Sequence, residues 1–201
     1  SQLAKIEFDQ LMLGRTNVKG ALIPRSDGGW DVGFQGPSFD FSAYWDELFS
    51  SSLASKDKKY LLPKLTMAVE IDKIWVSETV SMEKVSGTFS YQDEIWRTFI
   101  VSSYLNGGAT FDLLIQPDDD GNRQISLRSD NAGDALRFLG TYDSMQDGNL
   151  TITGEYQDNV EGYPLIGNLS INDFRIVDAP ILAQVLNIMA LTGILDALSG
   201  D

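Results

Sequence analysis

The sequence predicts a mainly β protein with short helices, in which a curled antiparallel meander forms a groove and a long C-terminal helix packs on it. Three observations support this fold class. Apolar residues recur at every second position in about nine or ten separate runs, and this period places one set of side chains on an apolar face. Sequences rich in Gly, Asn and Asp separate the runs, and only three segments have a helical pattern. Short alternating runs joined by tight turns are typical of an antiparallel meander.

The alternating runs extend from Trp30 to Ile171. In chain order their apolar residues are Trp30, Val32 and Phe34, then Leu65, Met67, Val69 and Ile71, then Val85, Phe89 and Tyr91, then Phe111, Leu113 and Ile115, then Ile125 and Leu127, then Leu150, Ile152 and Tyr156, and finally Leu165, Leu169 and Ile171. Turn sequences lie at Asp27–Gly29, Asn106–Gly108, Asp118–Asn122 and Asp147–Asn149. Because Gly, Asn and Asp tolerate positive φ angles, these segments suit tight hairpins. We interpret the adjacent acids of the third turn as solvated, since an EF-hand calcium loop needs acids at alternate positions.

Three helical segments interrupt the strands, at about residues 42–50, 131–139 and 179–198. Ser42 and Asp178 are suitable N-caps for the first and third segments, and Asn131 or Asp130 for the second. The third segment is long enough to cross hydrocarbon, but Asp196 would cost about 2.5–3.5 kcal/mol at the bilayer centre. We therefore expect this helix to pack on the sheet, with docking to a membrane or to a partner protein as the alternative. The residues expected to make the packing contacts are Ile181, Leu182, Val185, Leu186, Met189, Ile194 and Leu195.

The charge balance of the chain is strongly acidic. Fifteen Lys and Arg residues stand against 29 Asp and Glu, which gives a formal net charge of −14. Such a surface repels phosphate backbones, so we expect no nucleic-acid partner. It also disfavours simple electrostatic docking on anionic lipid headgroups. Contact with lipid tails is not excluded, because it depends on apolar surface.

The residue types that most enzymes use for catalysis are scarce. The chain contains no His and no Cys, which excludes Ser-His-Asp triads, thiolate nucleophiles and the usual zinc ligand sets within it. Paired acids such as Glu70 and Asp72 would project from one strand, whereas a glycosidase places its pair on either side of a cleft. We therefore expect a non-enzymatic chain with no metal site and no cofactor.

The whole chain, residues 1–201, is interpreted as one fragment of a larger protein, because no signal peptide is visible and the first residue is Ser1. A strand followed by a polar cap and a helix occurs near Asp40, near Asp130 and near Asp178. This pattern suggests repeat units over residues 1–60, 61–145 and 146–201. Generic strand-to-helix junctions are the alternative explanation.

The last 55 residues or so carry a family resemblance. They contain a strand LTITGEY at 150–156, a strand and junction GNLSINDFRIVDAP at 167–180, and a helix LAQVLNIMALTGILDALSG at 182–200. This stretch resembles the closing signature of the C-terminal region of AsmA-like bacterial envelope proteins, in the group that includes YhdP and TamB. The junction from strand through Asp178 and Ala179 to helix is the most specific part of the match.

The resemblance implies a function in the bacterial cell envelope. Members of this family are anchored in the inner membrane by a helix, which would lie outside this fragment, and they project into the periplasm. Their strands build a curled sheet with an apolar groove. They are implicated in phospholipid transport between the inner and outer membranes and in outer-membrane integrity. The implied partners are phospholipid, or another lipid with acyl chains, and the remaining domains of the full-length chain.

Large apolar residues in the alternating runs are the candidates for a lipid groove. They are Trp30, Phe34, Met67, Trp75, Phe89, Trp96, Phe111 and Tyr156. An ordinary hydrophobic core is the alternative role for each of them. At the level of function, the alternatives are a structural or protein-interaction module in envelope assembly without lipid binding, and a hydrolase or carbohydrate-binding module with a polar cleft.

Overall fold

The computed structural model describes residues 5–49, 62–160 and 162–177. In these residues the chain forms ten strands and two short helices. Their bounds in chain order are β1 Ile6–Leu13, β2 Thr16–Pro24, β3 Trp30–Asp40, α1 Ser42–Phe49, β4 Leu65–Trp75, β5 Ser81–Gln92, β6 Ile95–Leu105, β7 Thr110–Pro117, β8 Arg123–Ser129, α2 Ala132–Phe138, β9 Met145–Tyr156 and β10 Leu165–Ile176. The prediction of a mainly β fold is confirmed, as are the first two helices.

The ten strands form one open sheet, and each strand pairs with its neighbours in the chain. Every pair is antiparallel except β3 with β4, which is parallel. The prediction of an antiparallel meander is therefore wrong at this position. A parallel pair requires a crossover of a dozen or more residues. Residues 41–64, which include α1, supply that length. Length alone does not decide the direction, because residues 130–144 with α2 form a connection of similar kind between β8 and β9, which are antiparallel.

Apolar residues line one face of the sheet from edge to edge, because directly paired residues lie on the same face. One row, from β1 to β10, consists of Phe8, Gly20, Phe34, Val69, Gly87, Val101, Leu113, Leu127, Ile152 and Leu169. The adjacent row consists of Ile6, Leu22, Val32, Met67, Phe89, Phe99, Ile115, Ile125, Gly154 and Gly167. We call the side with these two rows the apolar face.

The opposite side of the sheet is polar. One of its rows consists of Lys19, Gln35, Glu70, Ser86, Ser102, Asp112, Arg128, Thr151 and Ser170. We call this side the polar face. The separation of the two faces is the structural result of the period-two pattern, since successive side chains of a strand point in opposite directions.

The second helix covers part of the apolar face. The Asn131 side chain caps α2 by accepting a hydrogen bond from the backbone N–H of Asp134 at 3.0 Å. A Cβ atom at Gly133 would lie 2.4 Å from the carbonyl oxygen of Met145. Only glycine therefore lets α2 approach β9 this closely. The approach buries Leu136 completely among the side chains of the sheet.

The predicted C-terminal helix at 179–198 lies outside the described residues, as do the seven residues expected to pack it on the sheet. Within the described part of the chain, no helix is both long and apolar enough to span a membrane.

Candidate functional site

The apolar face is divided into a buried half and a partly exposed half. On β5 to β9 most of its side chains are buried, as in Phe89, Val101, Leu127 and Ile152. We call this the covered part. On β1 to β4 the corresponding side chains stay partly exposed. We call these six residues the open part: Phe8, Leu22, Val32, Phe34, Met67 and Val69.

Both described helices contribute to the covered part. The ring of Trp45, from α1, lies 5.0 Å from the ring of Phe138, from α2, between centroids. Phe138 in turn lies 5.1 Å from Phe111 of β7. Aromatic pairs at these distances add to the stabilisation from apolar burial. The helices thus close the apolar face over the second half of the sheet.

A ring cluster continues the covered part toward one end of β5 and β6. The ring centroid of Phe89 lies 4.7 Å from that of Phe99 and 6.3 Å from that of Trp96. Trp96 also contacts Tyr91 at 5.2 Å. Trp96 and Phe99 pack against both buried core clusters. The covered part is therefore a packed core in which side chains occupy the space.

The open part has a different construction, built around a glycine. The rings of Phe8 and Phe34 lie 6.0 Å apart between centroids, and Gly20 stands between them in the row. A Cβ atom at Gly20 would lie 2.8 Å from Cδ1 of Phe34 and 3.1 Å from Cζ of Phe8. The two rings therefore extend over the glycine, and the apolar surface stays continuous from β1 to β3.

A buried ion pair closes the covered part beside β8. The Arg123 side chain is fully buried and donates to Asp158 from Nε at 3.0 Å and from Nη2 at 2.7 Å. Its Nη1 donates to the carbonyl oxygen of Trp96 at 3.1 Å. The guanidinium lies 4.5 Å from the ring centroid of Tyr156 and 5.7 Å from that of Tyr163. These contacts attach the turn after β9 to β6 and β8.

Sequence reasoning did not select Arg123, although a signal was present. Arg123 precedes Ile125 and Leu127 at the same two-residue spacing, so it belongs to the apolar face. A cation in phase with apolar residues indicates either a register error or a buried ion pair.

Seven of the eight candidate groove residues lie on the apolar face. Phe34 and Met67 belong to the open part, and Trp30 is partly exposed beside it on β3. The other four belong to the covered part, where Trp96 is half-buried and the remaining three are buried: Phe89, Phe111 and Tyr156.

Trp75 lies on the polar face, apart from the other seven candidates. Its ring contacts the guanidinium of Arg15 at 4.6 Å and the ammonium of Lys73 at 4.4 Å. The alternation of Met67, Val69 and Ile71 predicts that Trp75 lies on the apolar face. Lys84 has a φ of 51°, and the β5–β6 register shifts between Glu83 and Ser86. Beyond this bulge the alternation is reversed in both β4 and β5, whose mutual register is unbroken.

The Asp40 carboxylate lies beside Trp75 at the end of β3. It accepts a hydrogen bond from the Ser42 hydroxyl at 2.6 Å, and it forms an ion pair with Nε of Arg15 at 2.9 Å. These two interactions, the Ser42 hydrogen bond first, hold the pKa of Asp40 below its ordinary value. The contacts secure the passage from β3 into α1.

The acidic turn between β7 and β8 is closed by its own hydrogen bonds. Asp118 Oδ1 accepts from the backbone N–H groups of Asp120 and Asn122, both at 3.0 Å. Asp118 Oδ2 accepts from the Gln124 side chain at 2.9 Å, and this bond is the main reason that the pKa of Asp118 is lowered. The prediction of a hairpin turn is confirmed here. Among the described residues no group of three acids is placed to hold a metal ion.

Comparison with known proteins gives no relative from which a function could be inferred. No protein-family model matches the chain. No curated protein matches it, and no solved structure does.

Proposed function

We propose that this chain binds the acyl chains of phospholipid on the open part of its apolar face. In this proposal it is a non-enzymatic part of an AsmA-like protein that is anchored in the inner membrane and faces the periplasm. There it contributes to phospholipid transport between the inner and outer membranes and to outer-membrane integrity. The observation that supports the proposal is the pair of apolar rows across all ten strands, partly exposed on the first four.

The physical chemistry of the open part suits an acyl chain. Burial of apolar surface contributes about 25 cal/mol per Å², or about 0.8 kcal/mol per methylene. The six side chains of the open part carry no charge and no hydrogen-bonding group. A ligand there gains its affinity from apolar contact alone, which favours a hydrocarbon chain over a sugar or a peptide with polar side chains. Curling of the sheet into a groove would add contacts on both sides of such a chain.

A structural or protein-interaction module in envelope assembly is the second candidate function. It is favoured by the covered part, where Phe89, Phe111 and Leu136 occupy the space that a ligand would need. The two functions differ in what they require of the open part: lipid transport needs it to accept a ligand, and a purely structural module does not.

Native mass spectrometry of the purified chain, with lipid extraction from the same sample, tests the proposal. We expect phospholipid to co-purify with the wild-type chain. Met67→Glu places a carboxylate in the open part and should abolish this lipid. Ala68→Glu adds the same charge to the adjacent exposed position on the polar face, and should leave lipid binding unchanged.

Folding controls keep this comparison interpretable. Circular dichroism and urea unfolding should show that both variants remain folded, and Phe8→Glu on the edge strand provides a second change in the open part. A folded wild-type chain that carries no lipid and takes up none from added phospholipid vesicles would overturn the proposal in favour of the structural module. Equal lipid loss in Met67→Glu and Ala68→Glu would overturn the assignment of the site.

A further inference from the structure

β10 is an edge strand with an unusual amount of exposed apolar surface. Ile166 is 62% exposed and Leu169 is 45% exposed, and Phe174 and Ile176 are exposed as well. β10 pairs with β9 in one constant register from Leu165 to Ile176, and no described strand lies beyond it. Within the described residues its outer backbone N–H and C=O groups therefore have no strand partner, and an added strand could pair with them.

β10 lacks most of the features that usually protect a sheet edge. Natural edge strands are short, or carry Lys or Pro, or are interrupted by bulges. β10 has 12 residues and contains neither Lys nor Pro. Its one residue with a positive φ is Asp173, at 58°, so the strand is regular from Leu165 to Asn172. Its charges are one Asp173 and one Arg175, so the strand is neutral within a chain of net charge −14.

The opposite edge strand has such protection. β1 carries Glu7 and Asp9, and its pairing with β2 shifts register between Phe8 and Leu11. Carboxylates and an irregular register both oppose the addition of another strand. Of the two edges, β10 is the one suited to strand pairing.

We propose that two copies of this chain associate by antiparallel pairing of β10 with β10 around a two-fold axis near Ser170. In this arrangement Leu169 of one copy faces Ile171 of the other, because residues equally far before and after the two-fold axis pair with each other in an antiparallel ladder. Odd-numbered residues of one copy therefore face odd-numbered residues of the other, so the apolar faces of both copies lie on the same side. The apolar rows of one sheet continue into the other.

The charges of the chain favour β10 as the contact. Two bodies of net charge −14 repel each other, and this repulsion is screened over about 8 Å at physiological ionic strength. The neutral strand keeps carboxylates out of the contact itself. Association should therefore strengthen as salt rises, opposite to the behaviour of an interface held by ion pairs.

Cysteine cross-linking tests the two-fold pairing directly, because the chain has no Cys of its own. A residue on the axis faces its own copy, with Cα atoms about 4.5–5.5 Å apart, which suits a disulfide. We expect Ser170→Cys to form covalent dimers under mild oxidation, whereas a two-fold axis displaced by two residues would give them with Asn168→Cys or with Asn172→Cys. Thr153→Cys, exposed on the polar face of the interior strand β9, is the matched control and should not. Dimer yields no higher than this control at all three positions would overturn the proposal.

Analytical ultracentrifugation provides the second test. The double variant Ser170→Lys with Asn172→Lys places like charges opposite each other and should shift the wild-type dimer to monomer. Ser86→Lys with Thr88→Lys makes the same charge change at exposed positions of the interior strand β5, and should remain dimeric. A wild-type chain that stays monomeric at high micromolar concentration and high salt would refute the dimer. Open-ended oligomers would instead indicate β10 pairing with β1. Because neither readout involves lipid, this inference can fail or succeed independently of the proposed function.

Discussion

Arg123 and Asp158 form a buried ion pair in which the guanidinium donates from two nitrogens to one carboxylate. The Arg123 side chain is 0% exposed and that of Asp158 is 9% exposed. The pair joins β8 to the turn after β9, across 35 positions of sequence. A buried pair of this kind stabilises a fold chiefly because loss of one partner leaves the other charge without compensation.

Asp158→Ala should therefore destabilise the chain by about 3–5 kcal/mol. The measurement is the free energy of unfolding from urea titration. Asp119→Ala, at an exposed position of the acidic turn, is the control and should change stability by less than about 0.5 kcal/mol. Replacement of both partners, Arg123→Met with Asp158→Leu, should cost less than Asp158→Ala alone. A double variant that is less stable than the single one would contradict this account.

Gly20→Ala should destabilise the open part, by about 1–3 kcal/mol. The added Cβ would lie 2.3 Å from the carbonyl oxygen of Gly33, in addition to its close approach to the Phe34 ring. The matched variant is Gly33→Ala, where a Cβ meets nothing within 4 Å, and its stability should stay near that of the wild type. Urea unfolding of the two variants measures the difference. Equal stabilities would contradict this account, because the Gly33 carbonyl and both rings would then have to move away from Gly20 without cost.

Acid should remove the stabilisation that Asp40 provides. A carboxyl group with a lowered pKa in the folded chain contributes stability that is present above its unfolded pKa, about 3.9, and is lost as pH falls through the folded value. The pKa of Asp40 is lowered by Ser42 and Arg15. The stability difference between wild type and Asp40→Asn should thus be constant near neutral pH and should shrink below about pH 4.

Urea unfolding at a series of pH values measures this difference. The pKa values of Asp27 and Asp118 are also lowered, so the wild type alone would show the summed effect of several carboxyl groups. Subtraction of the Asp40→Asn curve isolates Asp40. A difference that grows as the pH falls would have the wrong sign for this explanation.

Phospholipid with a zwitterionic headgroup should bind better than phospholipid with an anionic headgroup. The net charge of −14 repels anionic headgroups, while the open part contacts only the acyl chains. Lipid uptake from vesicles of phosphatidylethanolamine and of phosphatidylglycerol, matched in acyl chains, measures the preference. The preference for the zwitterionic lipid should decrease as the salt concentration rises, since salt screens the repulsion. Stronger uptake of the anionic lipid at low salt would contradict the prediction.

The faces of most strands were predictable from the sequence. Leu113, Leu127 and Ile152 are in phase within their own runs, and the structure pairs all three in one row. The cap of α2 at Asn131 was also predictable, since capping depends on residues within one turn of the helix. Ser42, the predicted cap of α1, is instead the first residue of that helix. These features are local, and each segment carries its own signal.

The face on which Trp75 lies could not be predicted from its own strand. Its alternation with Ile71 is regular in the sequence, yet Trp75 lies on the opposite face, beyond the point where the neighbouring strand β5 bulges at Lys84. The parallel pairing of β3 with β4 has the same character, because it depends on which strand lies beside β3 after the crossover. Neither relationship is encoded within a single run of residues.

The sequence by itself determined the mainly β class, the two faces of most strands, the tight turns and the acidic charge. Each of these follows from residue type and spacing over a few positions. The tertiary structure alone decided that α1 and α2 cover β5 to β9 while the open part stays partly exposed. It also decided that Arg123 meets Asp158 in the interior. Covering, burial and pairing depend on contacts between residues far apart in the chain, and a period of two residues carries no information about them.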